Sequence, residues 1–234
     1  MGVYQKTIGP FIAVPIRRLD PLIAFWLAAL ALLLTPGLDL PLRDWDEGIV
    51  ARVAYERGQT LLQWLSGHAS FSSLWLPTYW DAPYLNKPPG LHLPASLPLL
   101  PWVSAGAVPP AWAVRLLPAL IASAVVPLAG LITRQLNHKQ QGAAIAAAAI
   151  ALTLLPLMRH GRLAMLDGAL VSASGLLWWQ LLRSRQSRGW KLLGCGVLAG
   201  LACSALLLLK APLVIPVLGI GLLLLPLEQQ LGAQ

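Results

Sequence analysis

The sequence predicts an all-α fold: a polytopic transmembrane helix bundle with amphipathic surface helices in a long first outer loop. Three observations carry this. Apolar residues make up 57% of the 234 and charged residues only 11%, against roughly 25% charged in a soluble domain, and the mean hydropathy is +0.67. The apolar residues gather into runs of roughly 20, the length of helix that crosses a bilayer core. No alternating strand pattern recurs, so helices rather than barrel strands must satisfy the backbone in lipid. This composition excludes an ordinary soluble enzyme, a disordered chain and a disulfide scaffold. The net charge of +8 is scattered in short clusters beside apolar runs, a pattern that orients membrane proteins and does not suggest nucleic acid.

Six stretches qualify as spans: about 20–38, 111–133, 141–158, 163–182, 190–209 and 211–227. The first opens with Asp20-Pro21, a capping residue followed by proline at the first helical position. It follows no small-residue cleavage site and reads as a retained signal anchor. Pro118, Pro127 and Pro216 fall inside later spans, where kinks are expected. Cys195 and Cys203 lie in one apolar run at a spacing that a helix cannot close into a disulfide; both read as small packing residues. Residues 88–104 are apolar but short and proline-rich. If they do not cross, Lys6, Arg17, Arg18, Arg134, His138, Lys139, Arg183, Arg185, Arg188 and Lys191 all fall inside. The positive-inside rule therefore favours a re-entrant or interfacial helix there.

This topology gathers the loop 39–110, the turn 159–162 and Lys210 on the outer face. Six of the nine acidic residues stand in that loop: Asp39, Asp44, Asp46, Glu47, Glu56 and Asp81. Trp45, Trp64, Trp75, Trp80, Trp102 and Trp112 suggest a segment in the headgroup zone. Residues 46–65 read as an amphipathic helix along the membrane. Val50, Val53, Ala54, Leu61, Trp64 and Leu65 recur at helical spacing, and Arg52, Glu56, Gln59 and Gln63 take other faces. Asp44, Asp46 and Glu47 suit its positive dipole end. Asp46 reads either as such a cap or as a surface carboxylate acting as base, and spacing leaves both open. In Asn86-Lys87-Pro88-Pro89-Gly90 the prolines hold Lys87 extended on a stiff turn; it reads as a snorkelling lysine or as a placed cation.

Asp46-Glu47 at the head of the outer loop resembles the acidic pair of the GT-C membrane glycosyltransferases, and Lys87-Pro88-Pro89 belongs to the same pattern. The resemblance is to the aminoarabinose-transferase and protein O-mannosyltransferase branch, also described as dolichyl-phosphate-mannose-protein mannosyltransferase-like. Arg115 matches the branch's arginine at the start of the next span, Asp167 a later aspartate, and Lys210 a basic position at an outer helix end. The resemblance runs from about residue 20 onward. Members carry more spans than this sequence holds, so it is similar to their N-terminal half: truncated, completed by a partner, or without activity.

The resemblance implies transfer of a sugar from a polyprenyl-phosphate donor to a lipid, glycan or protein acceptor on the non-cytoplasmic side of the plasma or inner membrane, with inversion. An attacking hydroxyl needs a nearby base, and Asp46 is the candidate, with Glu47 orienting the acceptor; an ionised phosphate acceptor would need no base. The leaving lipid phosphate gathers negative charge that fixed cations stabilise: Lys87, Arg115, Arg162 and Lys210. Asp167 is a further substrate-binding candidate or a partner of Arg162 or Arg159, and Arg115, Asp167 and Lys210 also read as snorkelling residues near span ends. His160 reads as an interfacial histidine. No metal site and no cofactor are expected. The alternatives are a transporter or flippase fragment, since broken helices and intramembrane polar groups mark such proteins, and a non-catalytic membrane scaffold.

Overall fold

The structure is a computed structural model that describes residues 19–35, 37–43, 45–137 and 140–232. Lys6, Arg17, Arg18, Asp44, His138 and Lys139, which carry parts of the topology and capping arguments, lie outside the described residues. The chain is an all-α membrane protein. Its helices are α1 (Pro21–Leu34), α2 (Trp45–Leu65), α3 (His92–Ser96), α4 (Leu100–Ser104), α5 (Ala111–Ser123), α6 (Val125–Leu136), α7 (Gln141–Thr153), α8 (Leu155–His160), α9 (Asp167–Ser184), α10 (Trp190–Lys210) and α11 (Val214–Gly232). One short hairpin, β1 (Thr78–Tyr79) with β2 (Ala82–Pro83), lies in the loop after α2. The helical stretches Ala111–Leu136 and Trp190–Pro226 are each long and apolar enough to cross a membrane.

Prolines and caps set the boundaries. Asp20 caps α1, its Oδ1 accepting from the Leu22 N–H at 3.1 Å, with Pro21 opening the helix. The same carboxylate takes a fork of bonds from Arg134 at 2.6 and 2.9 Å, which ties the start of α1 to the end of α6. Pro127 cannot donate to residue 123 and its ring crowds that carbonyl; α5 ends there, and α6 restarts after Ala124. The stretch 141–158 divides at Leu154, whose ψ of 113° ends α7 before Pro156 enters the first turn of α8. Residues 161–166 form turns before α9 begins at Asp167. At Lys210 the backbone leaves the helix (φ −161°, ψ 85°), separating α10 from α11.

α9 is the central staff, packed by α5, α6, α10 and α11. Small residues let neighbours approach, as in other membrane bundles. A Cβ on Gly168 would stand 2.6 Å from the Ala122 Cβ, and Ser172 Oγ donates to the Ile121 carbonyl at 2.7 Å. One apolar core joins α1, α5, α6, α7 and α8 through Leu22, Ala119, Ala122, Val126, Ala148 and Leu157. A second, beneath α2, gathers Val50, Ala54, Leu91, Ala95, Leu99, Val114, Ala169 and Leu209.

The amphipathic helix expected over 46–65 is present as α2, and Val50, Val53 and Ala54 face the core while Trp64 and Leu65 stay exposed. Glu56 departs from its expected outward place and is buried. The reason is the hairpin. Trp80 and Asp81 both carry positive φ, 54° and 62°, the conformation of a two-residue turn that normally recruits Asn or Gly. The Glu56 carboxylate accepts their N–H groups, at 2.8 Å from Trp80 and 3.3 Å from Asp81, and pairs with Arg52, whose guanidinium lies 4.0 Å over the Trp80 ring. Burial pushes the Glu56 carboxyl up, but bonds from Thr78, Arg52 and Asp81 outweigh it and hold it below the ordinary value.

The segment 88–104 folds as the short helices α3 and α4 joined by a 3-10 turn, in place of one continuous helix. Its entrance docks on α10: the Gly90 N–H donates to the Leu208 carbonyl at 2.9 Å. A Cβ at Gly90 would lie 2.5 Å from that oxygen, so only glycine permits the approach. Replacing Gly90 by alanine is expected to cost about 1–3 kcal/mol through overpacking, read as a lower melting temperature of the detergent-solubilised protein. Gly194→Ala, where nothing lies within 4 Å of the added carbon, should leave melting unchanged or raise it.

Candidate functional site

Four elements meet above the second core. α2 brings Asp46 and Val50, the turn before α3 brings Asn86, Lys87 and Pro88, the start of α9 brings Asp167 and Leu170, and the end of α10 brings Leu209 and Lys210. With Met165 and Leu166 they line one cavity of about 400 Å³. The Lys87 ammonium stands 3.5 Å from Asp46 Oδ1. Asp46, Lys87, Asp167 and Lys210 are thus brought together, with two carboxylates and two ammonium groups around one space. Asn86 and Met165 also line it. Asn86 was readable only as the neighbour of Lys87, and Met165, in the turn before α9, carries no sequence signal.

Glu47 and Arg115 lie behind this cavity. Arg115 Nε donates to Glu47 Oε1 at 2.8 Å and Nη2 to Oε2 at 2.7 Å. The remaining guanidinium donors reach the carbonyls of Leu38, Leu40 and Pro41 at 2.8, 2.7 and 3.1 Å. Glu47 also accepts the N–H groups of Arg43 and Ala164, each at 2.8 Å. The two side chains are 1% and 3% exposed. Every N–H of Arg115 is engaged in folding contacts, which corrects its expected place as a phosphate contact. Glu47 likewise has both oxygens occupied, so it is not free to orient an acceptor. Burial pushes the Glu47 carboxyl up, but the bonds from Arg115, Ala164 and Arg43 and the Arg115 charge more than offset it and keep it below the ordinary value. Arg162, half-buried, has its guanidinium by Gly37 in the loop after α1 and does not line the cavity.

Behind Lys87, His92 is fully buried, edge-on to Tyr84 with ring centroids 5.9 Å apart. Burial pushes its imidazole down to about 4; the Pro88 carbonyl works upward, though neither ring nitrogen makes a well-formed hydrogen bond, and the charges of Lys87 and Arg57 work downward. His92 is therefore neutral at physiological pH, and the cavity's cations are its lysines.

An apolar groove of about 570 Å³ adjoins the cavity. It shares Leu209 and is walled by α9 and α10 through Ala169, Ala173, Leu198 and Leu201 and by α5 and α6 through Ile121 and Leu128, with Gly90 and Leu91 at its side. Among the described residues, no group of three or more His, Cys, Asp or Glu side chains comes together as a metal site would require.

Comparison with known proteins adds the family. A family model described as dolichyl-phosphate-mannose-protein mannosyltransferase matches residues 98–227, more than half of the chain. No curated protein and no solved structure matches.

Two outcomes follow from this geometry. Arg115→Met leaves a buried carboxylate without its counter-charge, which costs about 3–5 kcal/mol. Adding Glu47→Gln should recover part of that loss in thermal melts of the solubilised protein. His92 sets the second. Its folded value, about 4, lies below the free value of 6.5, so the unfolded chain takes up a proton that the folded chain refuses. Stability should fall as pH drops from 6.5 towards 4, by about 3 kcal/mol in all. His92→Phe, which keeps the ring, should flatten the melting profile between pH 6.5 and 5, above the range where carboxylates titrate.

Proposed function

The chain belongs to the dolichyl-phosphate-mannose-protein mannosyltransferase family, and from that premise we propose that it transfers mannose from a polyprenyl-phosphate donor to a hydroxyl acceptor at the non-cytoplasmic rim of its helix bundle, with inversion at the anomeric carbon. That it is an integral membrane glycosyltransferase of the mannosyltransferase kind follows from the family; donor, face and stereochemistry are our reading. One observation supports it most: a carboxylate and two ammonium groups, Asp46, Lys87 and Lys210, share a cavity that adjoins an apolar groove.

In this mechanism the prenyl chain lies in the groove and the phosphate meets Lys87 and Lys210. The acceptor oxygen attacks the anomeric carbon while its proton passes to Asp46. The bond from that carbon to the phosphate oxygen breaks, and the lipid phosphate leaves with the electron pair. Its growing charge is stabilised by the two ammonium groups. A single displacement inverts the centre. Asp167 and Asn86 line the same space and supply acceptors and donors for sugar hydroxyls. Glu47 and Arg115 act as positioning residues, since they fix the start of α2 from which Asp46 projects. The protein acceptor in the family's description makes a serine or threonine hydroxyl the first acceptor to test.

The experiment is transfer of radiolabelled mannose from polyprenyl-phosphate mannose by the full chain in liposomes. Asp46→Asn should reduce turnover by about 100-fold or more, the range of a general base, with donor KM little changed. Lys87→Ala and Lys210→Ala should raise donor KM and lower turnover together. Unchanged turnover in Asp46→Asn removes that residue from the base role.

A further inference from the structure

Asp46 also lines a second cavity, which Lys87 does not line. This chamber, about 340 Å³, is bounded by Arg43, Trp45, Asp46, Glu47, His160, Leu163 and Met165. Asp46 and Met165 belong to both chambers and form the partition between them. In-line displacement requires nucleophile and leaving group on opposite faces of the anomeric carbon. If the phosphate meets Lys87 and Lys210 in the first chamber, the second offers the acceptor a separate approach to Asp46.

The polar groups of the second chamber say what kind of acceptor it takes. The Glu47 carboxylate is already consumed by Arg115 and by two backbone N–H groups. The other polar residues that line it are Arg43 and His160, with Asp46 common to both chambers. Among the described residues Arg43 makes no ion pair, and its backbone is pinned by its N–H bond to Glu47 at 2.8 Å. Trp45, 80% exposed, stands at the lip, where an indole offers a flat apolar contact with a polar edge. A hydroxyl delivered to Asp46 carries its neighbouring groups towards Arg43, whose planar fork matches a carboxylate.

We propose that this chamber is the acceptor subsite, and that Arg43, Trp45 and His160 select a peptide hydroxyl flanked by an acidic residue. The proposal rests on the glycosyl-transfer reading above and adds the acceptor's chemistry to it. Trp45 packs on the peptide, Arg43 holds the flanking carboxylate with His160 as a second donor, and Asp46 receives the hydroxyl proton.

The test uses three synthetic pentapeptides with a central threonine flanked by Asp, Asn or Lys, presented to the full chain in detergent. Binding is read by saturation-transfer NMR, and mannosyl transfer is read in parallel. The Asp-flanked peptide is expected to bind and react about tenfold better than the Asn-flanked one, the yield of one charge-assisted contact. In Arg43→Ala that ratio should collapse towards one with donor KM unchanged, and Arg43→Lys should keep part of it. Trp45→Ala should weaken all three peptides together. A wild-type protein indifferent to flanking charge, a preference for Lys, or a preference that survives Arg43→Ala overturns the proposal. So does Arg43-dependent binding of glucuronic acid in place of the Asp peptide, which would assign the chamber to an acidic saccharide. Arg43-dependent binding of the Asp peptide without sugar transfer to any peptide upholds the chamber's specificity and moves the failure to the transfer reading.

Discussion

The buried pair of Glu47 and Arg115 is the constraint on which the outer half of the structure depends. Arg115 projects from α5 and collects the carbonyls of Leu38, Leu40 and Pro41 from the loop after α1. Glu47, from the first turn of α2, collects the N–H groups of Arg43 and Ala164. One ion pair thus joins α1, α2, α5 and the turn before α9. An isolated pair at this depth barely offsets its own desolvation. Here the five backbone partners complete the hydrogen bonding of both ions, and they are themselves loop backbone groups that would otherwise be buried without partners. Because Asp46 precedes Glu47, the direction in which its carboxylate points follows from this anchor.

The same logic operates on the other wall of the cavity with different means. Lys87 is placed by backbone. Two prolines stiffen the turn, and Gly90 presses it against the Leu208 carbonyl at the end of α10, two residues before Lys210. A contact that tolerates no Cβ fixes how closely the backbone after Lys87 approaches the end of α10. On the far side of α2, Glu56 holds the turn at Trp80 and Asp81 in a conformation neither residue prefers. Strain of this kind persists only where the surroundings over-determine it, and here a buried carboxylate supplies that constraint.

Much of this was legible in the sequence, and the limits have physical causes. Helix periodicity gave α2 and its buried Val50, Val53 and Ala54, because an amphipathic pattern records which face meets a core. Asp20-Pro21 marked the start of α1 for the same local reason. The grouping of Asp46, Lys87, Asp167 and Lys210 could be anticipated from a common outer face and from the resemblance. What sequence could not assign was the partner of each charge. Arg115 and Glu47 are 68 residues apart, and nothing local shows that they consume each other. Glu56 looked outward because its N–H donors come from a hairpin 24 and 25 residues on. Breaks at Ala124 and Leu154 depend on where a proline ring meets the preceding turn, which an apolar run conceals.

The two ion pairs on either side of the α2 start differ in the way that a static scaffold and the proposed working site should. Glu47 and Arg115 are almost wholly excluded from solvent and joined at 2.7 and 2.8 Å; parting them would strand a charge in a medium that penalises it heavily. Asp46 and Lys87 stand 3.5 Å apart at 55% and 33% exposure, where water screens the attraction and a pair is worth about 1 kcal/mol or less. In the proposed transfer, a substrate phosphate would draw Lys87 away at little cost, and the same displacement would free the Asp46 carboxylate to take a proton. Neighbouring residues in the chain thus carry opposite requirements, permanence at Glu47 and exchangeability at Asp46. The difference arises from burial alone, since both are carboxylates paired with a cation.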